Sequence, residues 1–160
     1  MPEKIHKTNA MRLLESAGIV FDVVAYEVDE SDLSGVHAAA AIGADPDTVF
    51  KTLVLSAQSG GHVVCCIPVA AELDLKKAAR AAGEKSLQML PMKQLCAVTG
   101  YVRGGCSPLG MKKQFPTFVD ETAVLFDRIG VSAGERGLQI LANPEALALA
   151  TGAQFADLVR

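Results

Sequence analysis

Two apolar segments separated by a glycine turn constrain the fold of this 160-residue chain more than any other feature. Residues 49–56 and 62–69 are mostly apolar at both odd and even positions, and Ser59, Gly60 and Gly61 lie between them. Strand side chains alternate between the two faces of a sheet, so these segments predict strands that are apolar on both faces. The short glycine-containing connection predicts that the two strands form a hairpin.

Helices and further strands are predicted on both sides of this hairpin. Thr8, Ser34 and Asp74 are capping residues for helices that end near residues 17, 42 and 83, and Asn143-Pro144 begins another helix. A short helix is predicted from Pro91 to about Thr99. The strand-like segments are residues 21–28, 117–119, 128–131 and 138–141, and residues 101–103 are expected to be extended. Strands outnumber helices and are partly sequential, which predicts an α+β fold rather than a repeating βαβ fold.

Composition indicates a plain globular protein. The chain shows no repeat, low-complexity tract or linker, so we expect a single domain over residues 1–160. It has no apolar run of 18 residues and a polar start, which predicts a cytoplasmic protein without a membrane segment. Four cysteines without CxxC spacing and three scattered histidines argue against a zinc site. We expect reduced thiols, with Cys65 and Cys66 on opposite faces of a strand, and neither a metal nor a cofactor.

Charge is distributed unevenly along the chain. The whole sequence has a net charge of −3, but residues 76–113 carry +7 and the remainder carries −10. A local basic face on an acidic protein can bind a polyanion without adhering to every nucleic acid. An ordinary solvated, lysine-rich surface has the same composition, so composition alone leaves both interpretations open.

One lysine lies among the apolar residues of the first hairpin strand. Alternation places Lys51 on the face that it shares with Val49, Leu53 and Leu55. Burial of an ammonium group is costly unless an anion or hydrogen-bond acceptors receive it. The side chain can extend its stem to water from the start of the strand. Alternatively, its charge lies in a pocket and meets a negative or polarised ligand.

A glycine-rich loop is the second candidate for a site. Residues 100–113 contain Gly104-Gly105, and Lys112 and Lys113 end the segment. Glycines let a backbone approach a ligand closely, and loop amide N–H groups bind anions or carbonyl oxygens. The loop is not a P-loop, and a plain connection is the alternative interpretation. Cys106 could be a nucleophile there, but no motif ties a histidine to it.

Three segments, taken in order, resemble one protein family. They are residues 49–54, with the sequence VFKTLV, residues 100–113, and the glycine-containing turn at residues 131–138. Together they are similar to the YbaK family of aminoacyl-tRNA deacylases, which is related to the editing insertion of bacterial prolyl-tRNA synthetases. The resemblance implies a bent mixed sheet that forms a barrel-like core with flanking helices. It also implies hydrolysis of mischarged tRNA(Pro), with Cys-tRNA(Pro) the usual substrate of stand-alone members.

The resemblance also implies roles for individual residues. The family's essential lysine corresponds to Lys51, which favours the pocket interpretation. The expected substrate-binding positions are Tyr26, Thr52, Gly104, Gly105, Ser132 and Gly134. The expected contacts to the tRNA backbone are Lys76, Lys77, Lys112 and Lys113. Association with prolyl-tRNA synthetase stays open, whereas DNA and membranes are not expected partners.

Two positions depart from the family pattern and leave alternatives open. Ser34 stands where an aromatic residue often precedes the glycine that corresponds to Gly35, and Gln139 stands where an acid is sometimes found. These departures leave Ala-tRNA(Pro), or another small amino acid, as an alternative substrate. A non-catalytic module that binds a nucleotide or a synthetase is a further alternative. The absence of an evident histidine base agrees with the family picture, in which the thiol of the substrate cysteine attacks the ester.

Overall fold

The computed structural model describes residues 6–160 and shows an α+β fold. The helices are α1 (Asn9–Ser16), α2 (Gly35–Ala41), α3 (Leu75–Ala82), α4 (Leu95–Thr99) and α5 (Pro144–Thr151). The strands are β1 (Phe21–Ala25), β2 (Phe50–Ala57), β3 (His62–Pro68), β4 (Leu87–Met89), β5 (Thr117–Asp120), β6 (Ile129–Ser132), β7 (Leu138–Ala142) and β8 (Gln154–Ala156). The predicted fold class is confirmed. None of the helices among these residues is long and apolar enough to cross a membrane.

Side-chain caps fix the starts of four helices at the predicted positions. Each capping side chain accepts a hydrogen bond from a backbone N–H group in the first turn of its helix, which satisfies a donor that the helix itself leaves unpaired. The capping residues are Thr8, Ser34, Asp74 and Asn143. These local signals therefore fix where α1, α2, α3 and α5 begin.

The strands form two sheets that meet at one side of the hairpin. Strands β1, β7 and β6 form an antiparallel sheet, and β4, β2, β3, β5 and β8 form a mixed sheet. A parallel bridge between Val49 and Gly130 joins the two sheets. The two sheets are not closed into a barrel, which corrects the expectation of a barrel-like core. Strand β2 pairs with β4 only through residues 55–57, which leaves a gap beside its first half.

The β2–β3 hairpin lies between two hydrophobic cores. Phe50 and Cys66 join the core that contains α1 and the small sheet, whereas Leu55, Cys65 and Ile67 pack in the core that contains α3. The prediction that Cys65 and Cys66 point to opposite faces is confirmed. Burial on both faces is what the continuous apolar sequence of the two strands requires.

Two local predictions differ from the structure, and two short strands were not predicted. The edge strands β4 and β8 have three residues each, which is too short for an alternating pattern to be recognised in the sequence. Residues 101 and 102 are irregular and Arg103-Gly104 form a turn, so no strand is present there. Strand β1 ends at Ala25 instead of residue 28, because its antiparallel partner β7 begins at Leu138, opposite Ala25.

Candidate active site

A cavity of about 310 Å³ opens beside the first half of β2. Lys51, Thr52 and Leu53 all line it, although consecutive strand residues point to opposite faces of a sheet. The wall of the cavity is therefore the edge of β2, where β4 does not extend. The small sheet supplies the opposite side through Ser132 and Gln139. The gap between the two sheets is thus what creates the cavity.

Lys51 brings a poorly solvated positive charge to this cavity. Its side chain is half-buried, and burial lowers the pKa of the ammonium group from its ordinary value of 10.5, with Glu72 acting weakly in the opposite direction. Within residues 6–160, Lys51 has no ion pair and no side-chain hydrogen bond. The geometry agrees with the pocket interpretation of this residue. An ammonium in this state can donate hydrogen bonds to a ligand oxygen.

Two further predicted residues lie on the same wall or its rim. Tyr26 follows β1 directly. Its backbone N–H donates to the carbonyl of Gly137 at 2.9 Å, which fixes the backbone position from which the side chain extends. The hydroxyl of Thr52 lies 3.7 Å from the Cys66 sulfur. Both Tyr26 and Thr52 line the cavity.

The glycine-containing turn at residues 131–138, here called the late turn, contributes Ser132 to the cavity, whereas Gly134 shapes only the turn. Ser132 is buried at the end of β6 and lines the cavity. Its hydroxyl accepts a hydrogen bond from the backbone N–H of Gly134 at 3.1 Å. Gly134 does not line the cavity, because it turns the chain away with a φ of 103° and packs against Tyr101. The Gly134 amide is therefore already paired inside its own turn.

The glycine-rich loop lies directly against the late turn. Gly104 lines the cavity, whereas Gly105 does not. A Cβ atom on Gly105 would lie 3.1 Å from the backbone nitrogen of Arg136, so a side chain would crowd the late turn. The Arg136 side chain also donates from Nε to the carbonyl of Arg103 at 2.8 Å. Gly105 thus permits close packing of two loops, and Gly104 is the glycine that faces the cavity.

Cys106 lines the cavity but is a poor nucleophile at neutral pH. Burial raises the pKa of its thiol to about 12, so the thiolate is rare under those conditions. Histidine is not among the residues that line the cavity. Within residues 6–160, no group of three or more His, Cys, Asp or Glu side chains is arranged to hold a metal ion.

The four lysines predicted to contact tRNA are divided between different surfaces. Lys112 and Lys113 line a second cavity of about 550 Å³, together with His62 and Phe115. The Lys77 ammonium is bound to the Asp157 carboxylate and to the carbonyl of Val159, so it anchors the C-terminal segment. Lys76 is exposed on α3. The lysines named here all lie outside the wall of the Lys51 cavity.

Several residues line the cavity that the sequence did not identify as site residues. Arg103 and Met92 lie at its rim, and Leu33 and Gly35 close the side next to α2. Arg103 immediately precedes the Gly104-Gly105 pair, and this position was the available signal for it. Gln139 is also part of the wall, where the sequence indicated only a departure from a family pattern.

Comparisons with known proteins identify the family to which the sequence is similar. A family model described as an aminoacyl-tRNA editing domain matches residues 33–149, which include β2, the glycine-rich loop and the late turn. A protein from Enterococcus faecalis (strain ATCC 700802 / V583), provisionally named Cys-tRNA(Pro)/Cys-tRNA(Cys) deacylase EbsC, is 47% identical over 152 residues. That match covers 95% of this chain and 93% of the relative.

Two solved structures share the fold over almost the whole chain. A crystal structure described provisionally as a trans-editing enzyme for prolyl-tRNA synthetase superposes with a TM-score of 0.82 at 28% identity and covers 95% of both chains. The hypothetical protein APE2540 superposes with a TM-score of 0.86 at 21% identity, over 96% of this chain and all of that one, and shows the fold alone. The chain therefore belongs to the family of aminoacyl-tRNA editing domains.

Proposed function

We propose that this protein hydrolyses mischarged aminoacyl-tRNA, with Cys-tRNA(Pro) as its substrate. The observation that carries the proposal is the half-buried Lys51 ammonium, which lines the same cavity as Gly104 and has no ion pair within residues 6–160. The relative from Enterococcus faecalis is named for Cys-tRNA(Pro) and Cys-tRNA(Cys), and this name supports cysteine as the amino acid. The whole of residues 1–160 acts as one editing domain in this proposal.

The geometry suits an ester whose carbonyl oxygen becomes negatively charged. The scissile bond joins the amino acid to the ribose of the terminal adenosine, and nucleophilic attack moves negative charge onto the carbonyl oxygen. Hydrogen-bond donors already in position for that charge stabilise the transition state more than the ground state. Lys51 supplies a charged donor to the cavity that Gly104 also lines, while Tyr26, Thr52 and Ser132 orient the acylated ribose.

The substrate cysteine supplies the nucleophile in this proposal. Its sulfur bonds to its own carbonyl carbon, the bond from that carbon to the ribose oxygen breaks, and the thiol proton passes to the ribose oxygen. Water then opens the resulting thiolactone and releases free cysteine. The cavity wall has no histidine to activate a hydroxyl group, and the Cys106 thiol stays protonated at neutral pH, so this wall presents no activated nucleophile. Positioning accounts for the catalysis.

A panel of charged tRNAs tests this function. The purified protein is incubated with Cys-tRNA(Pro), Ala-tRNA(Pro), Ser-tRNA(Pro) and Pro-tRNA(Pro), and loss of the ester is compared with the rate in buffer. We expect rapid loss of the cysteinyl ester only, since serine has a similar size but lacks the thiol. Equal loss of alanine would make the substrate a small amino acid and remove the thiol mechanism. Protection of every ester would show a binding module instead of an enzyme.

The proposed cellular setting follows from the substrate. Mischarged tRNA(Pro) is made by prolyl-tRNA synthetase, so the protein acts in the cytoplasm on tRNA that this synthetase has released or presents. The related structure described as a trans-editing enzyme for that synthetase supports this setting. Lys76, Lys112 and Lys113 are the proposed contacts to the tRNA backbone, whereas the contacts of Lys77 favour an anchoring role.

A further inference from the structure

Gln139 carries a buried polar atom that lacks a partner. It lies in β7 between Val24 of β1 and Ser132 of β6, and only 5% of its surface is exposed. Its side-chain oxygen Oε1 is buried and accepts no hydrogen bond from any of residues 6–160. Native proteins pair the large majority of such atoms, so an unpaired one requires an explanation.

An unpaired amide oxygen at this position lowers the stability of the fold. The atom has lost its hydrogen bonds to water and has gained none from the protein. Gln139 lies on the face of β7 opposite to the core residues Leu138 and Ile140. Its Oε1 atom and the side chains of Val49 and Leu141 surround the position that a Cβ atom on Gly130 would occupy, and an apolar side chain of similar size would avoid the cost there. The chain thus has a glutamine where packing alone favours a residue such as methionine.

A donor held in the cavity can reach this oxygen when the amide turns toward it, because Gln139 lines the cavity although Gly130 does not. Gln139 lines the same cavity as Lys51. Its Oε1 atom lies 3.6 Å from the position that a Cβ atom on Gly130 would occupy, so the absence of a side chain at Gly130 leaves room beside the amide. Rotation about the terminal bond of glutamine changes which end of the amide faces the cavity, without moving the rest of the side chain.

We propose that Gln139 binds the α-ammonium group of the aminoacyl ester through its side-chain oxygen. This inference rests on the proposed function and names the part of the substrate that β7 recognises. The aminoacyl group carries one strong hydrogen-bond donor, its protonated amine, and Gln139 supplies a buried acceptor. Because the amide is neutral, it accepts that hydrogen bond without forming an ion pair with Lys51.

A double-mutant cycle between protein and substrate tests the contact. The substrates are Cys-tRNA(Pro) and 3-mercaptopropionyl-tRNA(Pro), which keeps the thiol and the ester but lacks the amine. The proteins are the wild type and Gln139→Met, with Gln154→Met on the exposed part of β8 as the matched control. A hydrogen bond to a charged group predicts that Gln139→Met lowers kcat/KM for Cys-tRNA(Pro) roughly 10- to 100-fold. The same substitution should have little effect on the substrate without the amine.

The outcomes separate this inference from the proposed function. Equal losses on both substrates would overturn the Gln139 contact while leaving the deacylase function intact. A wild type that is inactive on Cys-tRNA(Pro) would refute the function and the contact with it. Gln139→Glu keeps an acceptor and should retain the preference for the amine-bearing substrate.

A stability measurement distinguishes substrate binding from a structural role. Because Gln139→Met removes an unpaired buried oxygen, its Tm should rise or stay equal to that of the wild type while activity falls. A large decrease in Tm, together with the loss of activity, would show that the glutamine supports the fold and would contradict the proposal.

Discussion

A Cβ atom added to Gly35 would lie 2.3 Å from Cγ1 of Val69, so only glycine fits where α2 meets the end of β3. Both residues line the Lys51 cavity. The close approach of α2 to the sheet therefore sets the width of the cavity at this side. The φ of Gly35 is not positive, so the requirement is one of space rather than of backbone conformation.

Gly35→Ala should destabilise the protein by about 1–3 kcal/mol, because the added methyl group must displace Val69 or α2. Chemical denaturation measures the change. Gly61→Ala is the matched control, since a Cβ atom at Gly61 meets no atom within 4 Å and its φ is not positive. Val69→Ala in the Gly35→Ala background should recover part of the loss. Full stability of the single variant would show that α2 moves freely.

Lys51→Met should reduce deacylation of Cys-tRNA(Pro) by at least about 100-fold, the usual effect of removing one donor to a developing oxyanion. Single-turnover rates at saturating protein measure the chemical step directly. Lys85→Met, at an exposed lysine of the basic segment, should retain the wild-type rate. A Lys51→Met protein that retains the wild-type rate would exclude this lysine from the reaction.

The lowered pKa of Lys51 also predicts a pH-dependent difference in stability. Between its folded pKa and its unfolded value near 10.5, the unfolded chain binds more protons, so wild-type stability rises with pH in that window. Lys51→Met removes the cost of burying the ammonium. The variant should therefore be more stable than the wild type at pH 7, and the difference should decrease as the pH approaches 10.5. Thermal melts of both proteins across pH 7–10.5 measure this difference in stability. A difference that stays constant with pH would show that burial of the charge is not the cause.

Cys106→Ala should keep deacylation within about 3-fold of the wild type, because a thiol with a pKa of about 12 contributes little thiolate at neutral pH. Alkylation with iodoacetamide gives a second measurement. The exposed Cys96 should react before Cys106, which is only partly exposed. A loss of rate comparable with that of Lys51→Met would restore Cys106 as the nucleophile.

Replacement of Lys112 and Lys113 by alanine should weaken tRNA binding and reduce its salt dependence. Each lysine that contacts a phosphate should lower the slope of log K against log salt by about 1. Lys77→Ala should instead lower Tm with little change in the slope, because its ammonium binds Asp157 and the Val159 carbonyl. An unchanged slope in the Lys112/Lys113 variant would remove the second cavity from the tRNA-binding surface.

Local signals explain which parts of the fold the sequence predicts. The caps at Thr8 and Asn143 are satisfied within one helical turn, and the apolar hairpin shows its burial in its own residues. Strands β4 and β8 form the two opposite edges of the larger sheet, and each has only three residues. Their own sequences carry no comparable signal, so only the assembled sheet reveals them.

Some features of the candidate site can be recognised from the sequence, whereas others depend on how distant segments pack. Lys51 is recognisable from the sequence because a charge in an apolar strand is conspicuous. The different roles of Gly104 and Gly105 are not recognisable there, since they depend on the packing of Arg136 from a distant turn. The unpaired oxygen of Gln139 likewise becomes evident only when β7 is placed between β1 and β6.

The register of the small sheet has a consequence for how the chain folds. Strand β1 pairs Phe21 with Ala142, so its partner is among the later segments to be synthesised. Pairing across such a separation closes a long loop before any contact compensates for the lost entropy, which slows folding. The N-terminal strand must remain unpaired on the ribosome until β7 emerges. The cavity wall that contains Gln139 therefore forms late, after the hairpin that carries Lys51.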